Sequence, residues 1–172
     1  MKRIMLIILL TFPWTSTARE LPVERGVDVN RYVGTWYAHY ALPQFFTRGC
    51  RAQTAQYKTI NDLNISVVNT CIKKRSTTRI RGQARVTNPG DNSRLVVRFN
   101  NFFTRLFRVK GDYNIIKLDP NYEYVIVGSK NRKSLWLMSR SEDPWPDSVK
   151  QEYFDYAHSL GFKTNKLVKS KF

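Results

Sequence analysis

Cys50 and Cys71 are the only two cysteines of this 172-residue chain, and His39 and His158 the only two histidines. Thiolates and imidazoles are the side chains that most readily supply a nucleophile, a general base or a metal ligand near neutral pH. The histidines show no metal-ligand spacing and read as surface or rim residues. No Gly-x-Ser-x-Gly elbow, Gly-rich phosphate loop or paired-carboxylate pattern occurs. The sequence therefore assigns no catalytic residue, no metal site and no cofactor, and the chain reads as a non-enzyme. The cysteines read differently. They flank two strand-like runs, Arg51–Thr59 and Asn64–Thr70, joined by a turn at Asn61-Asp62 that lies midway between them. A hairpin there brings the two thiols close to opposite each other. A disulfide is the expectation for an exported chain with an even cysteine count. Closing that loop adds about 3 kcal/mol on the chain-entropy account. Two free buried thiols are the alternative.

Charge is the other chemistry on offer. Lys and Arg number 29 against 13 Asp and Glu, a formal +16. A field of that sign favours anionic partners.

The elements that must position these groups are legible as patterns. Lys2 and Arg3, an apolar run from Ile4 to Trp14 broken by Thr11 and Pro13, and the small residues Ser16-Thr17-Ala18 form a signal-peptide pattern. That run falls short of the roughly 20 apolar residues a membrane span needs. Residues 1–18 are thus expected to be a signal peptide. Residues 19–172 are expected to be one secreted, soluble domain, with no linker or repeat. Eight short apolar-rich runs follow: Gly34–Ala41, Arg51–Thr59, Asn64–Cys71, Ile80–Val86, Arg94–Phe99, Asp112–Leu118, Tyr124–Gly128 and Ser134–Arg140. Between them stand Asn-Asp, Asn-Pro-Gly-Asp and Asp-Pro-Asn turns. Leu95/Val97/Phe99 and Ile65/Val67 alternate, so each of those strands buries one face. The fold class is all-β: an eight-stranded antiparallel up-and-down barrel, wide enough for one small ligand. From Ser148 to Leu160 the period changes, with Val149, Tyr153, Tyr156, Ala157 and Leu160 at helical spacing. Pro146-Asp147 suits the helix start and Gly161 its end.

Three motifs recur in order: Gly34-Thr35-Trp36-Tyr37, Asp119-Pro120-Asn121-Tyr122 and Leu135-Trp136-Leu137-Met138-Ser139-Arg140. Together they resemble the signature of the lipocalins, most closely the bacterial lipocalin and apolipoprotein D branch, from about Val27 to Val168. The Asp119 motif departs from the commoner Thr-Asp-Tyr form, as that branch also does. The resemblance implies a cup-shaped barrel (a calyx) holding a small hydrophobic molecule. It implies one C-terminal helix packed on the wall and a short last strand, which Lys166–Val168 would supply. It implies that Trp36 crosses the closed end with Arg140 stacked on it, and that Asp119 and Tyr122 form a turn at the same end. These are structural roles. No cysteine follows the cleavage site, so the lipid-anchored form of some bacterial relatives is not expected. An isomerase of the family uses a barrel thiol, a role closed to Cys50 and Cys71 if they are joined.

Carried over, the family topology puts four connections at the open end: Leu42–Gly49, Ile72–Arg79, Asn100–Gly111 and Ser129–Lys133. All four are basic and none contains an acid. A fatty acid, lysophospholipid or similar anionic amphiphile suits such a mouth, with its tail in the cup. Bilin or haem propionates would suit it too. Phe45-Phe46-Thr47-Arg48 is repeated as Phe102-Phe103-Thr104-Arg105, with Leu106-Phe107 following. These aromatics read as peripheral contacts to an anionic membrane, as a lid, or as rim packing. Strand parity places Tyr40 on the face of Trp36 and Ala38, and puts Val67, Val97 and Phe99 on inward faces. Tyr113 and Trp136 resemble cavity-lining positions of the branch. These six are the expected ligand-binding residues. A basic rim that binds membrane or polyanion is the competing function. Nucleic acid is not expected as a partner, and the oligomeric expectation is a monomer or weak dimer.

Overall fold

A computed structural model describes residues 20–100 and 110–172, Lys110 in its backbone only. The expected signal peptide and the Phe102–Phe107 repeat lie outside the described residues. The eight expected strands form: β1 (Gly34–Ala41), β2 (Ala52–Asn61), β3 (Asn64–Ile72), β4 (Thr77–Val86), β5 (Arg94–Phe99), β6 (Lys110–Leu118), β7 (Tyr124–Gly128) and β8 (Leu135–Ser139). β4 starts earlier than its apolar pattern. Thr77, Thr78 and Arg79 are exposed, so they give no burial signal, yet they continue the ladder opposite Ile72, Cys71 and Thr70.

Each strand pairs antiparallel with the next, and β1 pairs with both β8 and β2, which closes the barrel. Closure removes the sheet edges that an open sheet would expose. A ninth strand, β9 (Val168–Lys169), adds to β1 at Tyr40 and Ala41, beyond the point where β2 leaves it. It begins later than expected because Thr164–Lys166 coil into a 3-10 turn.

Two α-helices among the described residues accompany the barrel. The short α1 (Val29–Tyr32) has no counterpart in the sequence reading. Asp28 caps it, its Oδ1 accepting from the Asn30 and Arg31 amides at 2.8 and 3.4 Å. The expected wall helix is α2 (Asp147–Ser159), ended by Gly161 at φ +85°.

The described residues form two apolar cores. One fills the lower barrel, with Trp36, Ile65, Val86, Leu95, Val125 and Met138 among its buried members. The other lies outside the wall, where Tyr153 and Ala157 of α2 meet Ile126, Leu135, Leu137, Trp145 and Phe162. Gly128 lets that second core close. A Cβ there would come within 2.9 Å of both Ile116 and Phe162.

Candidate functional site

The closed end is a locked floor. Trp36 is 0% exposed and its indole N–H donates to Tyr32 O at 2.9 Å. The Arg140 guanidinium stacks 3.9 Å from the centroid of its ring. The same guanidinium donates to Tyr122 O, Thr35 O, Arg31 O and Tyr32 O at 2.7–3.1 Å. One side chain thereby ties α1, β1 and the β6–β7 turn together. Gly34 makes room for it: its φ is +106°, and an added Cβ would lie 3.0 Å from Arg140 Nη1. Asp119 holds the turn by accepting from the Asn121, Glu123 and Tyr124 amides. Tyr122 accepts from the Asp28 amide at 2.9 Å.

Above the floor the strand registers assign the inward faces. Tyr57↔Val67↔Gly82↔Phe99 and Ala84↔Val97↔Gly111 run as rows across the wall. Val67, Val97, Phe99, Tyr113 and Trp136 all pack with the interior cluster. Tyr40 does not. β1 bulges between Ala38 and Tyr40, and the extra residue turns both His39 and Tyr40 outward. The ring of Tyr40 packs edge-on against Phe154 of α2 and against Trp145, at 4.9 and 6.4 Å between centroids. The expectation that Tyr40 lines the cup is thus corrected: one bulge inverts strand parity. His39 is also corrected, being 5% exposed, bonded through Nε2 to Ser141 O at 2.8 Å and set between Trp145 and Phe172.

Three interior groups escape the sequence reading. Tyr32 and Tyr57 join Tyr113 in a hydroxyl cluster, with Tyr32–Tyr113 at 2.5 Å and Tyr57 donating to Tyr113 at 3.1 Å. Burial pushes all three phenols up, Tyr57 to about 12, so they stay neutral. Two contacts among three hydroxyls leave one O–H free to donate into the lumen. Asn69 is the third group. Its Oδ1 is buried with no hydrogen-bond partner. Val67 already marks its parity, so the same alternation could have found it. Tyr32 carried no such signal, because it precedes the first strand. Trp136, Phe99 and Tyr113 all face inward and yet remain only half-buried.

At the mouth, Cys50 and Cys71 are joined, with Cα atoms 5.3 Å apart. Neither sulfur is available as a thiol nucleophile. Phe45 and Phe46 sit in a 3-10 turn closed by Gln44 and Thr47, 89% and 68% exposed. Gln44 Nε2 donates to Lys133 O at 2.9 Å, which fixes that turn to the β7–β8 connection. Rim packing therefore does not describe these two rings. Lys73, Lys74, Arg75 and Arg79 are exposed. The three ion pairs among the described residues, Arg94–Glu20, Lys117–Glu152 and Lys150–Asp147, involve none of them. Arg132 is set apart, since its Nε donates to Leu160 O at 2.5 Å and so caps α2.

A closed eight-stranded cup, an arginine-locked floor and a wall helix define a ligand-binding calyx. Residues 27–171 match the lipocalin-like domain family, and the chain belongs to that family. It is 32% identical over 148 residues to the outer membrane lipoprotein Blc of Citrobacter freundii, covering 85% of this chain and 80% of that protein. It is 34% identical over 135 residues to apolipoprotein D of Oryctolagus cuniculus, covering 74% and 68%. Its fold is similar to that of insecticyanin from the tobacco hornworm Manduca sexta, with a TM-score of 0.69 at 15% identity over 90% of this chain and 85% of that one. As a family, lipocalins bind small hydrophobic ligands.

Proposed function

We propose that this lipocalin is an exported carrier, without enzymatic activity, for a small hydrophobic molecule with an anionic head. The observation that supports it best is the half-buried state of the inward-facing Trp136, Phe99 and Tyr113. Apolar walls that keep accessible surface inside a closed barrel are surfaces for a ligand to cover. Val67 and Val97 extend that wall downward, and Asn69 and the tyrosine cluster offer polar contacts within it. The head would meet the cations of the mouth. The disulfide supports export, since such bonds persist in oxidising compartments. No described helix is long and apolar enough to cross a membrane. Phe45 and Phe46, beside Arg48 and the Lys73–Arg75 run, support peripheral contact of the open end with an anionic bilayer, where cargo would load or leave.

The test is a titration of delipidated protein with a long-chain fatty acid and with its methyl ester. The acid should bind in the micromolar range or tighter and exceed the ester by about threefold or more, a gap that 0.5 M salt narrows. Trp136→Ala should weaken the acid about tenfold, or ~1.4 kcal/mol. Equal affinities for acid and ester would remove the anionic head from the proposal. Saturable binding of neither, together with an extract free of pigment, would remove the carrier.

A further inference from the structure

The outer wall formed by β3, β4 and β5 plays no part in holding a ligand in the cup, and its composition is unusual. Between Asn64 and Asn100 stand eight Lys or Arg residues and one acid, Asp91. Strand parity sorts them. The small and apolar residues of β4 (Ile80, Gly82, Ala84 and Val86) point inward. Arg79, Arg81, Gln83 and Arg85 alternate with them on the exposed outer face. On β5, Arg98 lies directly opposite Gln83, and Val96 opposite Arg85. Arg98 and Arg85 are thus diagonal neighbours, with Cα atoms roughly 7–8 Å apart. Successive outward positions on a strand recur about every 6.8 Å. Arg79 to Arg85 therefore spans about 20 Å, and Lys73–Arg75 continue the stripe to the mouth.

None of Arg79, Arg81, Arg85 and Arg98 enters an ion pair among the described residues. Arg94, by contrast, is held by Glu20 at 3.0 Å and by Leu21 O at 3.3 Å. Asp112, opposite Val96 on the next strand, is committed to the Lys130 amide and the Asn114 side chain. A shallow concavity of about 690 Å³ opens on this wall, lined by Arg85, Arg98, Gln83, Asn100, Thr87 and Val96. Two guanidiniums and the Gln83 and Asn100 amides on its rim can donate to anionic oxygens, whereas the Thr87 hydroxyl is spent on Arg94 O at 3.0 Å. A row of uncommitted, regularly spaced guanidiniums beside such a recess fits an extended, multiply charged anion better than a single small one.

The chemistry of the wall also separates the classes of polyanion. Its outward residues (Ser66, Val68, Thr70, Arg79, Arg81, Gln83, Arg85, Val96 and Arg98) include no aromatic ring. Single-stranded nucleic acid is normally held on aromatic platforms, and a bilayer on inserted aromatic or large aliphatic side chains. Neither is provided. The Cys50–Cys71 disulfide points to an oxidising compartment, where anionic glycans are at hand and nucleic acid is scarce. We propose that the β3–β5 wall binds a linear acidic polysaccharide, whose sulfate or carboxylate groups lie along the arginine row with one residue seated in the recess. This site is independent of the carrier reading.

The test uses the full disulfide-bonded chain and two probes, a heparin oligosaccharide and unsulfated hyaluronate. The triple variant Arg81→Gln/Arg85→Gln/Arg98→Gln is compared with Lys163→Gln/Lys166→Gln/Lys169→Gln, which removes the same charge from exposed positions elsewhere. The wall variant should lose tenfold or more in heparin affinity and show a shallower salt dependence, because fewer ion contacts release fewer counterions. The control should lose less than threefold, and fatty-acid binding should be unchanged in both. Binding of both glycans by the unaltered chain makes charge alone the recognised feature, and binding of heparin alone makes it sulfate. Equal losses in the two variants would reduce the wall to a share of net charge and overturn the site. Tighter binding of a DNA oligonucleotide than of either glycan, at equal salt, would overturn the occupant. Thermal melts of both variants check that the strands still pair.

Discussion

Arg140 and Arg98 are the same side chain in opposite circumstances. Arg140 lies against an indole and donates to four carbonyl oxygens contributed by three parts of the chain. Arg98 projects from the wall with no hydrogen bond or ion pair to any described residue. The pattern extends beyond the arginines. At the floor, the Trp36 N–H, the Asp119 carboxylate and the Tyr122 hydroxyl all have partners. In the lumen, along the β3–β5 wall and at the mouth stand a partnerless Asn69 oxygen, exposed cations and two exposed phenylalanines. Folding requires buried polar groups to find partners. The exposed cations and rings, on surfaces a partner can reach, are the groups available for recognition. The charge distribution repeats the division. The segment from Ser141 to Leu160 carries five acids and one lysine, the reverse of the β3–β5 wall.

The sharpest way to break this contrast is to remove one arginine from each region. Arg140→Ala should cost about 3–4 kcal/mol in urea unfolding, from loss of the cation–π contact and the charge-assisted bonds to carbonyls left without donors. Arg140→Lys should recover little, because an ammonium cannot reproduce the planar fork. Arg98→Ala should change stability by no more than about 0.5 kcal/mol. Comparable losses at the two sites would mean that the floor is held by apolar packing, with the guanidinium incidental. A smaller effect tests the lumen. Tyr113→Phe removes the hydroxyl common to both contacts of the cluster and should cost about 2 kcal/mol, whereas Tyr57→Phe removes one contact and should cost about 1. Equal costs would show that the three hydroxyls do not act as a connected chain.

The fold was readable because each strand buries one face, and a period of two survives even in a strongly basic chain. The disulfide followed from the hairpin between the cysteines, and the floor from motifs that match a known family. The lumen was only half legible. Val67, Val97 and Phe99 lie on uninterrupted strands, where parity carries through from one turn to the next. Tyr40 sits one residue past a bulge, and a bulge is set by how β1 must bend to meet β8 and β9, which no local pattern encodes. Tyr32 belongs to a single helical turn too short to show a period. Asn69 is illegible for a different reason: an amide within an apolar run resembles a lapse in the pattern until its lack of a partner is visible.

His39 offers the smallest and most specific test, since the same bulge that expels Tyr40 buries it. Burial holds its imidazole below the ordinary value of 6.5, with Lys169 acting in the same direction. The bond to Ser141 O and the nearby Asp143 and Glu142 carboxylates oppose that shift without reversing it. The unfolded chain therefore takes up this proton at a higher pH than the native one does. Between the two values the unfolded state binds more protons, so stability falls as pH falls. His39 contributes its full share above pH 6.5, and that share is lost as the pH drops through the lower, native value. Between pH 7 and pH 5.5, above the range where ordinary carboxylates titrate, the urea midpoint should slope downward toward acid. In His39→Gln the amide can still donate to Ser141 O but cannot take up a proton, and the slope should flatten. Parallel slopes in the two proteins would place the acid sensitivity elsewhere and leave the bulge a purely geometric feature of β1.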